Sequence, residues 1–158
     1  MPEKRAYLVY LCGPLDNAKD VSWTRTWREE FIRAVNEKSD TRVVFFDPHM
    51  AYRGDIERPV RETPLDGNPY PAIVSVDLQV IENSDLLVAA LDWSVPSVGS
   101  YVEIGFALGH KIPVVVFPGN KEEGGGDIPG FVKYCPGETV YVCSSMDEAV
   151  SNTIYIAE

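Results

Sequence analysis

Apolar residues along this chain gather into five short unbroken runs, separated by longer segments with helical spacing. Residues 6–11 (AYLVYL), 42–46 (RVVFF), 85–91 (DLLVAAL), 112–117 (IPVVVF) and 139–143 (TVYVC) show no polar alternation. Each therefore predicts a parallel strand buried on both faces. Between the first two runs, residues 21–36 place Trp23, Trp27, Phe31 and Ala34-Val35 on one side of a helix, with Ser22 as a candidate cap. Residues 71–83 turn Ile73, Val76, Val80 and Ile81 inward, with Asp77 on the same stretch, and residues 99–109 and 145–154 predict two more helices. Strand–helix alternation at this spacing predicts a three-layer α/β/α sandwich around a five-stranded parallel, flavodoxin-like sheet.

Two segments do not fit the alternation. Residues 49–70 are polar and rich in Pro, Arg and Gly, too long for a simple connector and suited to a functional loop. Residues 120–130 contain Gly124-Gly125-Gly126 and read as a mobile flap, too short to be a linker. No internal repeat or boundary divides the 158 residues, so one domain over 1–158 is expected. A domain of that length buries enough surface to need no disulfides or metal.

Charge removes several function classes. With 24 acidic against 14 basic residues, the net charge of −10 argues against nucleic-acid binding, which needs a basic footprint. A small neutral or phosphorylated ligand remains compatible, because backbone amides bind anions whatever the net charge. Cys12, Cys135 and Cys143 have no metal-ligand spacing, and their odd number argues against a disulfide framework. Cys12 and Cys143 lie in apolar runs and are expected to be buried thiols in a reducing compartment. The opening Met-Pro-Glu-Lys-Arg lacks a signal-peptide core and no apolar run reaches spanning length, so the expected location is the cytoplasm, without membrane association. No Walker loop, GxGxxG, GxSxG or HExxH motif occurs, and no cofactor or metal is expected.

The chemistry points to residues 85–110. There the third strand ends at Asp92, and Trp-Ser-Val-Pro-Ser leads through Gly99 into a helix whose first two turns hold Glu103 between Val102 and Ile104. Ligands of open α/β sheets bind at the carboxyl edge of the strands, so a carboxylate opening that helix is a candidate catalytic group. Ser100-Tyr101-Val102-Glu103 also matches a capping box, in which the glutamate would serve only the helix. Ser97-Val98-Gly99-Ser100 offers hydroxyls and free amides at a helix N-terminus, a site for a phosphate or a sugar hydroxyl, or simply a cap. Tyr10 ends the first strand and meets this edge if strands one and three are neighbours. Asp77 reaches the same cleft or faces solvent, depending on the tilt of its helix.

At these residues the chain resembles the nucleoside 2-deoxyribosyltransferase family and its nucleotide N-glycoside hydrolase relatives. The matching pieces are Val9-Tyr10-Leu11-Cys12-Gly13-Pro14, Trp27-Arg28, Phe46-Asp47-Pro48, Asp77-Leu78, and Pro96 through Gly105. They run in order over roughly residues 7–117, and the ordered set is more specific than any piece. The resemblance implies Glu103 as nucleophile, Asp77 as the group that assists protonation of the departing base, and Tyr10 as the residue that orients the nucleophile. It also implies substrate contacts at Gly13, Asp47, Ser97, Gly99 and Ser100.

The expected function is transfer of a deoxyribosyl group between nucleobases through a glycosyl-glutamate. The alternative is hydrolysis of a nucleoside 5′-monophosphate. Many transferases of the family carry an aspartate six residues before the nucleophile, where this chain has Ser97, as the monophosphate hydrolases do. A non-catalytic nucleotide sensor on the same scaffold is a third reading, against which the intact Tyr10, Asp77 and Glu103 weigh. Partners are expected to be a nucleoside or nucleotide, a free base, and further copies of the chain in a homo-oligomer. The Trp23-Trp27-Phe31 stripe supports assembly if it exceeds what one helix needs. The family's asparagine from a neighbouring subunit has no clear match beyond Asp127 or Asn120.

Overall fold

The computed structural model describes residues 5–14, 23–51, 70–92, 95, 97–119, 128, 130–133 and 139–158. Ser22, Asn120, the triple glycine, Asp127, Cys135 and most of the 49–70 loop lie outside them. The elements are β1 (Tyr7–Cys12), α1 (Trp23–Lys38), β2 (Val43–Phe46), a helical turn α2 (Pro48–Ala51), α3 (Tyr70–Glu82), β3 (Leu86–Leu91), α4 (Val98–Gly109), β4 (Val114–Pro118), a second turn α5 (Gly130–Lys133), β5 (Val140–Val142) and α6 (Met146–Ala157). All five strands pair in parallel in the order β2-β1-β3-β4-β5. That is the flavodoxin-like arrangement expected above, and its topological switch point falls between β1 and β3.

Period-2 geometry divides the strand residues between two cores. Val9, Leu11, Leu86, Val88, Ala90, Val115 and Phe117 pack against Trp27, Phe31 and Val35 of α1 and Ala149 and Val150 of α6. Tyr10, Cys12, Leu87, Ala89, Leu91, Val114 and Val116 face Ile81 of α3 and Ile104 and Ala107 of α4. Every residue of β3 is buried, as its unbroken apolar run requires. One spacing of two along β1 thus sends Tyr10 and Cys12 together toward α3 and α4.

The tryptophan stripe belongs to the first core. Trp27 and Phe31 are fully buried and meet Phe117 edge-on and stacked, at centroid distances of 5.6 and 6.2 Å. It is therefore no surplus apolar face, and the argument for assembly drawn from it fails. Cys12 and Cys143 are free, buried thiols, as expected.

Element ends moved for local reasons. Asp85 precedes β3 because its carboxylate is a clasp: it accepts the Leu8 amide at 2.8 Å and pairs with Arg5. The fourth strand starts later than residue 112 because α4 closes through Lys111, at φ 59°, with Lys111 N–H donating to Leu108 O and Ile112 N–H to Ala107 O. Ser145 caps α6 by accepting the Glu148 amide at 3.2 Å.

Gly119 follows β4 where the Trp23 indole lies across the chain. A Cβ there would stand 2.1 to 2.6 Å from three ring carbons of Trp23. Gly119→Ala should therefore cost roughly 1–3 kcal/mol in urea unfolding. In a Trp23→Leu background the added loss should shrink, since the obstacle is gone. Strictly additive losses would contradict this packing.

Candidate active site

The site forms where β1 and β3 end side by side, with Tyr10 opposite Leu87 and Cys12 opposite Ala89. From β3 the chain enters α4, whose N-cap is Ser97. Helical side chains lean toward the N-terminus, so Glu103, one and a half turns in, reaches back toward the strand ends. The Tyr10 hydroxyl donates to Glu103 Oε1 at 2.9 Å. The Cys12 thiol donates to Ser100 O at 3.6 Å and lies beside the same carboxylate, its alternative acceptor. Tyr10 is fully buried, its ring stacked on Phe46 at 5.6 Å.

This geometry removes the capping-box role for Glu103. In a capping box the carboxylate would fold onto the amide of the cap. Here the cap is Ser97, its side chain makes no capping bond, and its hydroxyl meets that of Ser100. Ser97 and Ser100 are both buried, so the pair forms a small hydroxyl-lined turn at the N-terminus of α4. Gly99 stands between them, and among the described residues nothing lies within 4 Å of where its Cβ would be.

Asp77 does not face solvent. It is 8 % exposed, on the inner side of α3, and its charge acts on both Glu103 and Tyr10. The helix tilt thus brings Tyr10, Asp77 and Glu103 to one place. Gly13 is also at this edge: a Cβ would come within 3.2 Å of Ala90 O and the Trp27 ring and 3.3 Å of the Arg28 guanidinium. The residue is glycine because the backbone is wedged there. Asp47 is placed differently, since its buried carboxylate is ion-paired to Arg28 Nε at 3.3 Å.

Arg28 is the residue sequence reasoning passed over. It is 1 % exposed, donates to Gly13 O and Thr24 O at 3.1 Å each, and lies 4.8 Å from the Trp27 ring centre. It therefore ties the end of β1, the start of α1 and the end of β2 into one block. Its position four residues after Thr24 and three before Phe31, on the inward side of α1, was the available sign. Burial draws its pKa down while Asp47 holds it up.

Electrostatics follow from depth. Glu103 keeps part of its surface exposed, yet burial raises its pKa from 4.5 to about 7; hydrogen bonds from Cys12 and Tyr10 and the charge of Arg28 oppose the rise, and Asp77 adds to it. Burial, then the charge of Glu103, pushes the Tyr10 phenol far up, so it stays a proton donor. The arrangement supplies a poorly solvated carboxyl group that titrates around neutral pH, held by fixed donors beside a second carboxyl group.

The family model for nucleoside 2-deoxyribosyltransferases matches residues 9–132. The chain belongs to that family. That family is one of N-glycosyl transferases acting on nucleosides. Among solved structures, a 2-desoxiribosyltransferase from Leishmania mexicana is 17 % identical, with TM-score 0.58, over 94 % of this chain and 97 % of that one. A conserved protein from Enterococcus faecalis V583 matches equally, at 17 % and 0.58 over 93 % and 96 %. The CMP N-glycosidase BcmB of Clostridium botulinum is a looser match, 14 % identical with TM-score 0.49 over 92 % and 97 %. These likenesses concern the fold. No curated protein sequence matches the chain significantly. Among the described residues no helix is long and apolar enough to cross a membrane.

The raised carboxyl has a consequence for stability. The native group titrates near 7 and its unperturbed counterpart at 4.5, so the native state holds the proton more tightly. That contribution is complete below about pH 4.5 and is lost as pH rises through about 7. Glu103→Gln carries no charge at any pH and should match wild type near pH 4.5. Its advantage should grow to about pH 7 and level off at roughly 2–3 kcal/mol. Urea unfolding at several pH values measures the gap, and a gap independent of pH would contradict the burial of Glu103.

Proposed function

We propose that the protein is a nucleoside 2-deoxyribosyltransferase with Glu103 as its nucleophile. The supporting observation is the 2.9 Å bond from Tyr10 to Glu103 at the β1/β3 edge, with Asp77 buried beside it. In the first half-reaction a Glu103 oxygen bonds to C1′ of the sugar. The C1′–N bond breaks, its electron pair stays on the base nitrogen, and Asp77 delivers a proton to the base. In the second, a nitrogen of the acceptor base attacks C1′, Glu103 leaves as carboxylate, and the acceptor's N–H proton returns to Asp77. Two carboxyl groups in different roles suit a pair in which one is ionised while the other holds the proton.

Tyr10 orients the nucleophile and keeps one of its oxygens occupied. The hydroxyls of Ser97 and Ser100, with the first amides of α4, take the 5′ end of the sugar. Gly13 keeps its backbone at the same edge, held there by Arg28. Asp47 acts from behind, through Arg28.

One observation favours a second reading, a 5′-monophosphate N-glycosidase in which water replaces the acceptor base. The turn at Ser97 and Ser100 is neutral and lies at a helix N-terminus, so it accepts a phosphate that an aspartate would repel. The two readings part in one experiment. Deoxyinosine with free adenine should yield deoxyadenosine and hypoxanthine, while a deoxynucleoside 5′-monophosphate in water should release little base. The opposite pattern would make the protein a hydrolase. Glu103→Ala should fold and retain at most a trace of turnover. Full activity in that variant would remove the nucleophile assignment.

Ser97→Asp separates recognition from capping. It should lower kcat/KM for a deoxynucleoside 5′-monophosphate at least about tenfold more than for the plain deoxynucleoside, because only the phosphate meets the new charge. Equal losses on both would reduce Ser97 to a helix cap.

A further inference from the structure

Cys12 stands two residues beyond Tyr10 on β1, on the same face and about 6.6 Å nearer the carboxyl edge. A buried free cysteine usually acts as a small apolar residue. This one, 1 % exposed, has two polar acceptors instead of none. Its single thiol hydrogen goes to Ser100 O at 3.6 Å, and the carboxylate of Glu103 is the alternative acceptor beside it. Ser100 supplies one of the two hydroxyls of the turn before α4, and Glu103 lies three residues further on the same helix. One β1 side chain therefore touches both the backbone beneath the serine turn and the acid above it.

We propose that Cys12 is a positioning residue, which with Tyr10 fixes the first turns of α4 so that Glu103 and the Ser97–Ser100 turn keep a single spacing. The proposal rests on the reading of Glu103 as nucleophile. Tyr10 holds the acid itself. Cys12 adds a point on the backbone of the same helix, at Ser100 O. Burial keeps the thiol neutral, so it donates without adding charge beside Glu103. The other groups facing this acid are Asp77 from α3 and Arg28 from α1, the latter tied to Asp47 at the end of β2.

The test titrates the Glu103 carboxyl by carbon-13 NMR, its signal assigned by comparison with Glu103→Gln. This readout needs no substrate, so it stands or falls apart from the enzymatic reading, which Glu103→Gln turnover judges separately. Cys12→Ala should move the titration midpoint upward by roughly 0.5–1 in pH, because one donor to the ionised form is lost. Cys12→Ser, which keeps a donor, should return it close to wild type. The acid limb of kcat/KM should follow, so that Cys12→Ala is about 3- to 10-fold slower at pH 6 and converges with wild type at high pH. Should alanine fold poorly, Cys12→Val fills the space without a donor and should titrate as alanine does. If alanine and serine both leave the midpoint and the acid limb at wild-type values, Cys12 is packing only and the proposal is overturned.

Discussion

Everything distinctive about this molecule depends on a carboxylate held where water solvates it poorly. Glu103 could ionise freely on the outer face of α4, where Val98 and Val102 are exposed. The helix instead turns it inward, against Tyr10 and Cys12, beside a second acid. An ionised group there is costly, and only fixed donors and a buried cation make it tolerable. Tyr10, Cys12 and Arg28 are those groups, the first two positioned by β1 and the third by α1. The parallel order brings β1 beside β3, and period-2 alternation sends both donors to the side α4 covers.

Arg28 and Asp47 show how the support extends behind the site. A buried ion pair contributes little net stability, because desolvation offsets the attraction, but losing one partner leaves an unpaired charge at roughly 3–5 kcal/mol. Here the pair joins β1, α1 and β2, and its guanidinium also holds the carbonyl of Gly13, where an added Cβ would press on Ala90 O, the Trp27 ring and Arg28 itself. The braced edge that results suits the proposed reaction, which needs two well-placed carboxyl groups. Stability is given up at Glu103 and secured by the packing around it, which is the usual division between a site and its scaffold.

The fold was legible because each strand of a parallel sheet buries both faces and so leaves an unbroken apolar run, as LLVAAL does in β3. Boundaries were less so: Asp85 looks like the start of a strand but is a clasp, and Ile112 looks like strand but completes the end of α4. Glu103, Asp77 and Tyr10 were singled out from topology and resemblance together, and the structure brings them to one place. Local pattern alone left open whether Glu103 is a capping partner and whether Asp77 is a surface acid, since the tilt of α3 and the rotamer of Glu103 are tertiary facts. The Trp23-Trp27-Phe31 stripe misled because a helix beside a sheet edge packed with phenylalanines needs that much apolar surface. Arg28 and Cys12 were missed since a charged residue on an apolar helix face and a cysteine in a strand declare no role until their partners are seen.

The central claim is that Glu103 becomes covalently glycosylated. The direct measurement incubates the protein with a 2-deoxyribonucleoside lacking an acceptor base, quenches in acid, and maps the digest by mass spectrometry. The account predicts a deoxyribosyl adduct on the peptide containing Glu103, removed when an acceptor base is added before the quench. Steady turnover with that peptide unmodified, or an adduct on another carboxylate, would contradict it.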